Sequence, residues 1–244
     1  MNTKYDTALE IVAESLKNEF RDELLGIILG GSVAYGTPLQ HSDIDVFGVV
    51  RGSWHQRRAF VADDCDVELI LRPVHAIRKD FKNNDMPATI NIFANGCVIY
   101  DAGGILDPLI QEAKEILKQG PKAMSPKEQV KTRLGLVDLL KDTQDLLEVE
   151  TQAAEYVMQE TLREAIHAYY KIQRLWTVKS KYQLKDIVVH NSELYKMILN
   201  ILSQENPISD RIDILSELVD KILEPIGGRL GQQWKSPIER LENS

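Results

Sequence analysis

The amino-acid sequence predicts two successive units: an α+β half that contains a small mixed sheet, and an all-α half built as a helical bundle. Three observations support this prediction. Short apolar segments rich in Val, Ile and Leu recur before residue 102 and are bounded by glycine or proline, as buried strands are. The spacing between these segments leaves little room for long crossover connections. Beyond residue 125, apolar residues recur with helical periodicity to about residue 223.

The elements of the first half follow from their residue patterns. An amphipathic helical pattern opens the chain, and a second helical stretch follows Pro73, which ends the third apolar segment. The predicted helices are residues 4–20 and 74–83. The predicted strands are residues 24–29, 43–50, 65–71 and 97–101, the last of them at a sheet edge.

A change of pattern marks the boundary between the halves. A helix that includes Leu109–Leu117 stops at Gly120, and Ser125-Pro126-Lys127-Glu128 then combines an N-cap serine, a proline at the first helical position and a glutamate at the third. Ser236–Glu239 repeats this capping pattern near the end. The predicted later helices are residues 126–149, 152–178, 192–203 and 209–223. We therefore place the domains at residues 1–120 and 121–244.

Composition narrows the class of protein. The 244 residues include 29 Lys and Arg against 37 Asp and Glu, a net charge of −8, which disfavours a nucleic-acid partner. Cys65 and Cys97 lack CxxC spacing and are predicted to be free core thiols of a reducing compartment. The sequence has no signal-peptide pattern and no apolar run of membrane-spanning length. These features predict a cytoplasmic protein without a membrane partner, and they leave the oligomeric state open.

Two aspartates in the second predicted strand suggest a metal site. The segment DIDVFGVV begins with Asp43 and Asp45, and side chains two residues apart in a strand project to the same face. Two carboxylates about 7 Å apart along a strand repel each other unless a cation lies between them. Mg²⁺ prefers one or two carboxylates together with the phosphates of a substrate. Asp43 and Asp45 are therefore the candidate metal ligands.

A glycine-rich turn precedes these aspartates. Gly30 and Gly31 let the backbone approach a ligand closely, and Ser32 adds a hydroxyl donor. Backbone N–H groups at such a turn, with a helix starting behind it, can bind phosphate. A phosphate site facing a carboxylate pair is the arrangement that phosphoryl or nucleotidyl transfer requires.

A third acid is expected on a neighbouring strand, where Asp66 and Glu68 are one residue apart. Either one would complete the metal site or accept a proton from an incoming hydroxyl. We favour Glu68, because it lies deeper in the predicted strand between Val67 and Leu69, whereas Asp66 lies at the start of the strand.

Taken together, these residues resemble the nucleotidyltransferase superfamily whose fold is shared with DNA polymerase β. The matching pieces are the apolar strand with its Gly-Gly-Ser turn, the Asp-x-Asp pair about ten residues later, and a third acid on a later strand. The resemblance implies a nucleoside triphosphate donor, ATP foremost, with Mg²⁺ bound by the two aspartates. The nucleotide-binding positions that it implies are Gly30, Gly31, Ser32 and Ser42, and the catalytic acids are Asp43, Asp45 and Glu68.

The helical half is similar to that of bacterial antibiotic adenylyltransferases, some of which also have a glutamate as the third acid. This similarity implies that the second domain binds the acceptor and that Lys185 contacts the triphosphate. It further implies transfer of AMP to a hydroxyl of a small molecule such as an aminoglycoside, with release of pyrophosphate and a role in antibiotic resistance.

Two alternatives remain open at this point. In the first alternative, the acceptor is a protein, as for antitoxin-type members that adenylylate a partner toxin. In the second, the chain is a nucleotide-binding regulator without catalytic activity. The seven acids between residues 142 and 164 also have two interpretations. They form either a solvent-exposed helix face or an acidic surface that binds a cationic acceptor.

Overall fold

The structure is a computed structural model that describes residues 3–83, 87–231 and 233–235. The chain divides into two compact units, Met1–Gly120 and Pro121–Ser244. A small mixed sheet with helices in the first unit, followed by helices alone in the second, confirms the predicted fold class. The predicted capping pattern at Ser236–Glu239 lies outside the described residues. Within the described residues, none of the helices combines the length and apolar character needed to cross a membrane.

The first unit contains a five-stranded sheet within its described residues. The strands are β1 (Leu24–Gly30), β2 (Ile44–Val50), β3 (Gln56–Ala62), β4 (Cys65–Pro73) and β5 (Cys97–Asp101). Their order in the sheet is β3-β4-β2-β1-β5. β2 and β4 are parallel, and the other neighbouring strands are antiparallel. The four predicted strands are present, with β5 at an edge as expected, whereas β3 was not predicted.

Helices cover both faces of this sheet. They are α1 (Thr3–Phe20), α2 (Gly31–Ala34), α3 (Val74–Asn83), α4 (Pro87–Asn95) and α5 (Leu106–Gln119), with a 3-10 turn at Arg21–Glu23. α1 packs on the face that includes Leu29 and Val46. On the opposite face, the ring of Phe93 in α4 lies 5.2 Å from Phe47 and 5.6 Å from Phe81, between ring centroids. α4 was not predicted and is the helix that borders the end of β1.

Within its described residues, the second unit contains helices joined by turns and loops, and no strands. The helices are α6 (Pro126–Leu147), α7 (Thr151–Ile172), α8 (Ser180–His190), α9 (Ser192–Leu202) and α10 (Ile208–Leu223), with a 3-10 turn at Glu224–Ile226. Their apolar faces form one buried cluster. An ion pair joins α7 and α10, because the guanidinium of the buried Arg211 donates to both carboxylate oxygens of the half-buried Glu155, at 2.8 and 2.9 Å.

The predicted helix over residues 152–178 is wrong at its C-terminal end. α7 ends at Ile172, and Arg174 has a left-handed φ of +55°. The N–H of Leu175 donates to the carbonyl of Tyr170 at 2.9 Å and the N–H of Arg174 to that of Lys171 at 3.2 Å, which is the hydrogen-bond pattern of a Schellman cap. This cap normally uses glycine, so the residues gave no signal for the end of α7 or for the separate helix α8.

The predicted cap of α6 is present and gives a first testable prediction. The Glu128 N–H donates to the Ser125 hydroxyl oxygen at 3.3 Å, and the Ser125 N–H donates to a Glu128 carboxylate oxygen at 2.7 Å. The Ser125 hydroxyl also donates to this carboxylate, at 2.6 Å, and this bond together with the one from the Ser125 N–H lowers the pKa of Glu128. We expect Ser125→Ala to reduce the free energy of unfolding of the helical unit by about 1 kcal/mol. Urea titration of the full chain followed by circular dichroism measures this, with Ser125→Asp as the control that keeps an N-cap acceptor.

Candidate active site

The sheet register brings the predicted site residues together. Gly30 at the end of β1 pairs with Asp45 in β2, and Asp45 pairs with Glu68 in β4. Paired residues on neighbouring strands project to the same face of a sheet, so Asp45 and Glu68 project together. Asp43 lies two residues before Asp45, at the entrance to β2.

The three acids form a cluster of the size that a metal ion requires. One carboxylate oxygen from each of Asp43, Asp45 and Glu68 lies within 4.8 Å of the others, and all three residues are half-buried. Mg²⁺ binds oxygen at about 2.1 Å, so that ligands on opposite sides of the ion are about 4.2 Å apart. The donor set therefore offers the oxygen ligands that Mg²⁺ prefers, at a spacing close to the one that the ion requires. Asp66 is exposed and is not part of this cluster.

Gly31 has no side chain at the position where the carboxylate of Asp45 lies. Its φ is +66°, in the left-handed region, and it begins the short helix α2. A Cβ atom at this position would lie 1.7 Å from Oδ2 of Asp45, where two atoms cannot coexist. The backbone of Gly31 therefore passes directly beside the carboxylate of Asp45, and only glycine permits this approach.

The two predicted serines are hydrogen-bonded to each other across the loop between β1 and β2. The Ser32 hydroxyl donates to the Ser42 hydroxyl oxygen at 3.0 Å, and the Leu39 N–H donates to the same oxygen at 2.8 Å. The Thr37 N–H donates to the Ser32 carbonyl at 2.9 Å. Ser32 follows Gly31 and Ser42 precedes Asp43, so each serine is next in the chain to a residue of the site. Their contact with a nucleotide stays a prediction.

Tyr35 and Asn91 are two residues beside the site that the sequence patterns did not single out. The Asn91 amide donates to the Tyr35 hydroxyl at 3.2 Å and accepts from the Asn95 amide at 2.6 Å. Burial raises the pKa of the Tyr35 hydroxyl, and the negative charge of Asp45 adds to this effect. Asn91 and Asn95 are one turn apart on α4, whose residue pattern indicates only apolar packing, so no signal pointed to them.

Arg57 is a third residue that the sequence patterns did not single out. Its Nε donates to Oε1 of Glu68 at 2.6 Å, and its Nη2 donates to the same oxygen. Arg57 lies on β3, which was not predicted. Lys185, by contrast, is exposed on α8 in the second unit, and its role toward the triphosphate stays a prediction.

Comparisons with known proteins show what parts of this chain are similar to. Residues 9–100 match the family described as "Nucleotidyltransferase domain". A relative from Methanocaldococcus jannaschii, named "Putative protein adenylyltransferase", is 28% identical over 120 residues, which cover 46% of this chain and 82% of the relative. The crystal structure of a nucleotidyltransferase-like protein from Exiguobacterium sibiricum is similar to this one with a TM-score of 0.49 and 14% identity, over 88% of this chain and 74% of that chain.

The match to the family includes the positions of the site. Of the site residues predicted from the sequence, only Lys185 lies outside residues 9–100. The stretch of the first unit that matches this family therefore includes the cluster of Asp43, Asp45 and Glu68.

Proposed function

We propose that this protein is a Mg²⁺-dependent nucleotidyltransferase that moves AMP from ATP to a hydroxyl group of an acceptor and releases pyrophosphate. The observation that carries the proposal is the carboxylate cluster, in which oxygens of Asp43, Asp45 and Glu68 lie within 4.8 Å of one another. The match of residues 9–100 to the nucleotidyltransferase domain supports the reaction class.

Each site residue then has a role in the transfer. Asp43 and Asp45 hold Mg²⁺, and Glu68 accepts the proton of the acceptor hydroxyl. The hydroxyl oxygen forms a bond to the α-phosphorus, the bond from this phosphorus to the bridging oxygen of the β-phosphate breaks, and pyrophosphate leaves with the electron pair. When bound, Mg²⁺ neutralises the negative charge on the phosphate oxygens. The proposed contacts to the triphosphate are Gly30, Gly31, Ser32 and Ser42, with Lys185 as a further contact.

The proposed acceptor is a small cationic molecule of the aminoglycoside type, recognised with the help of the second unit. Exposed acids on α6, α7 and the segment between them support this choice: Asp142, Asp145, Glu148, Glu150 and Glu164. Glu155 does not contribute, because its carboxylate is held by Arg211. An acidic surface raises the local concentration of a polycationic acceptor.

A protein acceptor is the second candidate. The relative from Methanocaldococcus jannaschii bears the name of a protein adenylyltransferase, and the similarity to it extends over 46% of this chain. A protein acceptor is therefore favoured by the relative, and a small cationic acceptor by the charge of the helical unit.

One experiment tests the reaction and separates the acceptors. The full chain is incubated with Mg²⁺ and ATP, first with pooled aminoglycosides and lincosamides and then with cellular proteins, and the products are analysed by mass spectrometry. An added mass of AMP on one compound, absent with Asp45→Asn, supports the small-molecule acceptor. The same added mass on a protein supports the second candidate.

Two other outcomes contradict the proposal at different points. Transfer of a nucleotide other than AMP would keep the reaction and correct the donor. Binding of ATP without a product in either pool, and without pyrophosphate release, would favour a nucleotide-binding regulator.

A further inference from the structure

Arg57 makes direct contact with the acid that the proposed function assigns to proton transfer. Two of its guanidinium nitrogens, Nε and Nη2, donate to a single oxygen of Glu68, the Nε at 2.6 Å. Charge-assisted bonds of this kind are short and directional, so they favour one orientation of the carboxylate. The pair is accessible, with the Arg57 side chain 71% exposed and that of Glu68 28% exposed.

The register of the β3–β4 hairpin allows Arg57 to contact Glu68 and directs the neighbouring Arg58 to the other face of the sheet. Ala59 pairs with Glu68, so Arg57, two residues earlier in β3, projects to the same face as Glu68. Arg58 projects to the opposite face, where its guanidinium donates to both carboxylate oxygens of Glu19 in α1 at 2.6 and 2.8 Å. Two adjacent arginines thus make similar ion pairs, and only one of these pairs includes a residue of the site.

The contact limits how far Glu68 can serve as a metal ligand. A metal ion between three carboxylates can recruit any of them, and the Glu68 oxygen lies within 4.8 Å of the oxygens of Asp43 and Asp45. The guanidinium of Arg57 occupies one oxygen of Glu68 and repels a second cation near it. A cation at the site would therefore have to compete with Arg57 for Glu68.

We propose that Arg57 is a positioning residue that withholds Glu68 from the metal and orients it toward the acceptor hydroxyl. This inference rests on the proposed function, because it assigns the metal to Asp43 and Asp45 and the proton to Glu68. It predicts that loss of Arg57 makes Glu68 available as an additional metal ligand, so that the site binds a divalent cation more tightly. A purely structural ion pair would leave the affinity for metal unchanged.

The test is a Mn²⁺ titration of the full chain, with free Mn²⁺ measured by electron paramagnetic resonance. Arg57→Met keeps the apolar stem and removes the charge, and we expect it to lower the Kd for Mn²⁺ by about tenfold, since the site gains one carboxylate ligand. Arg58→Met is the matched control on the same strand and should leave this Kd unchanged. Because the ion pair of Arg57 is exposed, the variant should unfold at the same temperature as the wild type.

A double-mutant cycle separates the freed ligand from a long-range effect of charge. If Arg57 acts by holding Glu68, Arg57→Met in a Glu68→Gln background should change the Kd by less than about twofold. An equal gain in affinity in both backgrounds would overturn the proposal, as would an unchanged or weaker Kd for Arg57→Met alone. The proposed function has a separate test. If Asp45→Asn bound Mn²⁺ as tightly as the wild type, the metal site of the proposed function would be wrong, whatever the result for Arg57.

Discussion

We expect Asp45→Asn to lower the rate of nucleotidyl transfer by about 10³-fold, which corresponds to about 4 kcal/mol of transition-state stabilisation. Asp45 is the central acid of the cluster, since it pairs with Gly30 on one side and with Glu68 on the other. Asparagine has nearly the same shape but lacks the charge that a divalent cation requires. In this variant, the rate of pyrophosphate release should fall and the Kd for Mn²⁺ should rise.

The fold should survive this substitution. Three carboxylates within 4.8 Å repel one another in the absence of a cation, so removing one charge does not lower the unfolding temperature. Asp66→Asn is the matched control, because Asp66 lies on β4 two residues from Glu68 yet is exposed and outside the cluster. We expect this control to retain the wild-type rate. Equal losses in the two variants would contradict the assignment of the metal to Asp45.

Much of the site could be predicted because it depends on local rules. The two-residue period of a strand places Asp43 and Asp45 on one face, and a glycine pair marks a close approach of the backbone. The choice of Glu68 over Asp66 depends on the register between β2 and β4, which no local pattern sets. The structure pairs Asp45 with Glu68, and a shift of two residues would have brought Asp66 to this position instead.

Arg57 could not be predicted, because its contact with Glu68 exists only through the β3–β4 hairpin. β3 is mostly exposed and carries two consecutive arginines, so it lacks the apolar pattern of the inner strands. Charged residues are common on edge strands, where they discourage pairing with other chains. The turn adds little signal, since Asp63 and Asp64 adopt φ angles of +45° and +58°, where asparagine and glycine are the usual residues.

The acceptor is the part of the function on which local patterns say least. Acceptor recognition depends on how side chains far apart in the chain are arranged, and the residue types that would bind a cation also occur on solvated helices. Glu155 illustrates this, because the sequence includes it in the acidic segment, while the structure shows it paired with the buried Arg211. The carboxylate cluster and the Gly-Gly-Ser turn, by contrast, involve mostly residues that lie close together in the chain.

Gly31→Ala should inactivate the site by steric means, without removing any functional group. The new Cβ atom would lie 1.7 Å from Oδ2 and 2.7 Å from Cγ of Asp45, so that the carboxylate must rotate away from its present position. We expect the transfer rate to fall by at least about 10²-fold, as misplacement of a catalytic group by about 1 Å does. The Kd for Mn²⁺ should rise in parallel, because Asp45 leaves the cluster.

Gly36→Ala separates this steric effect from backbone strain. Gly36 lies in the same loop with a φ of +68°, nearly the same as the +66° of Gly31, and a Cβ atom there would meet nothing within 4 Å. Both variants therefore lose about 1 kcal/mol of stability from the left-handed conformation. Only Gly31→Ala should also lose metal affinity and transfer. If the two variants lost activity equally, the loop conformation would limit the reaction, and the close approach of Gly31 to Asp45 would not.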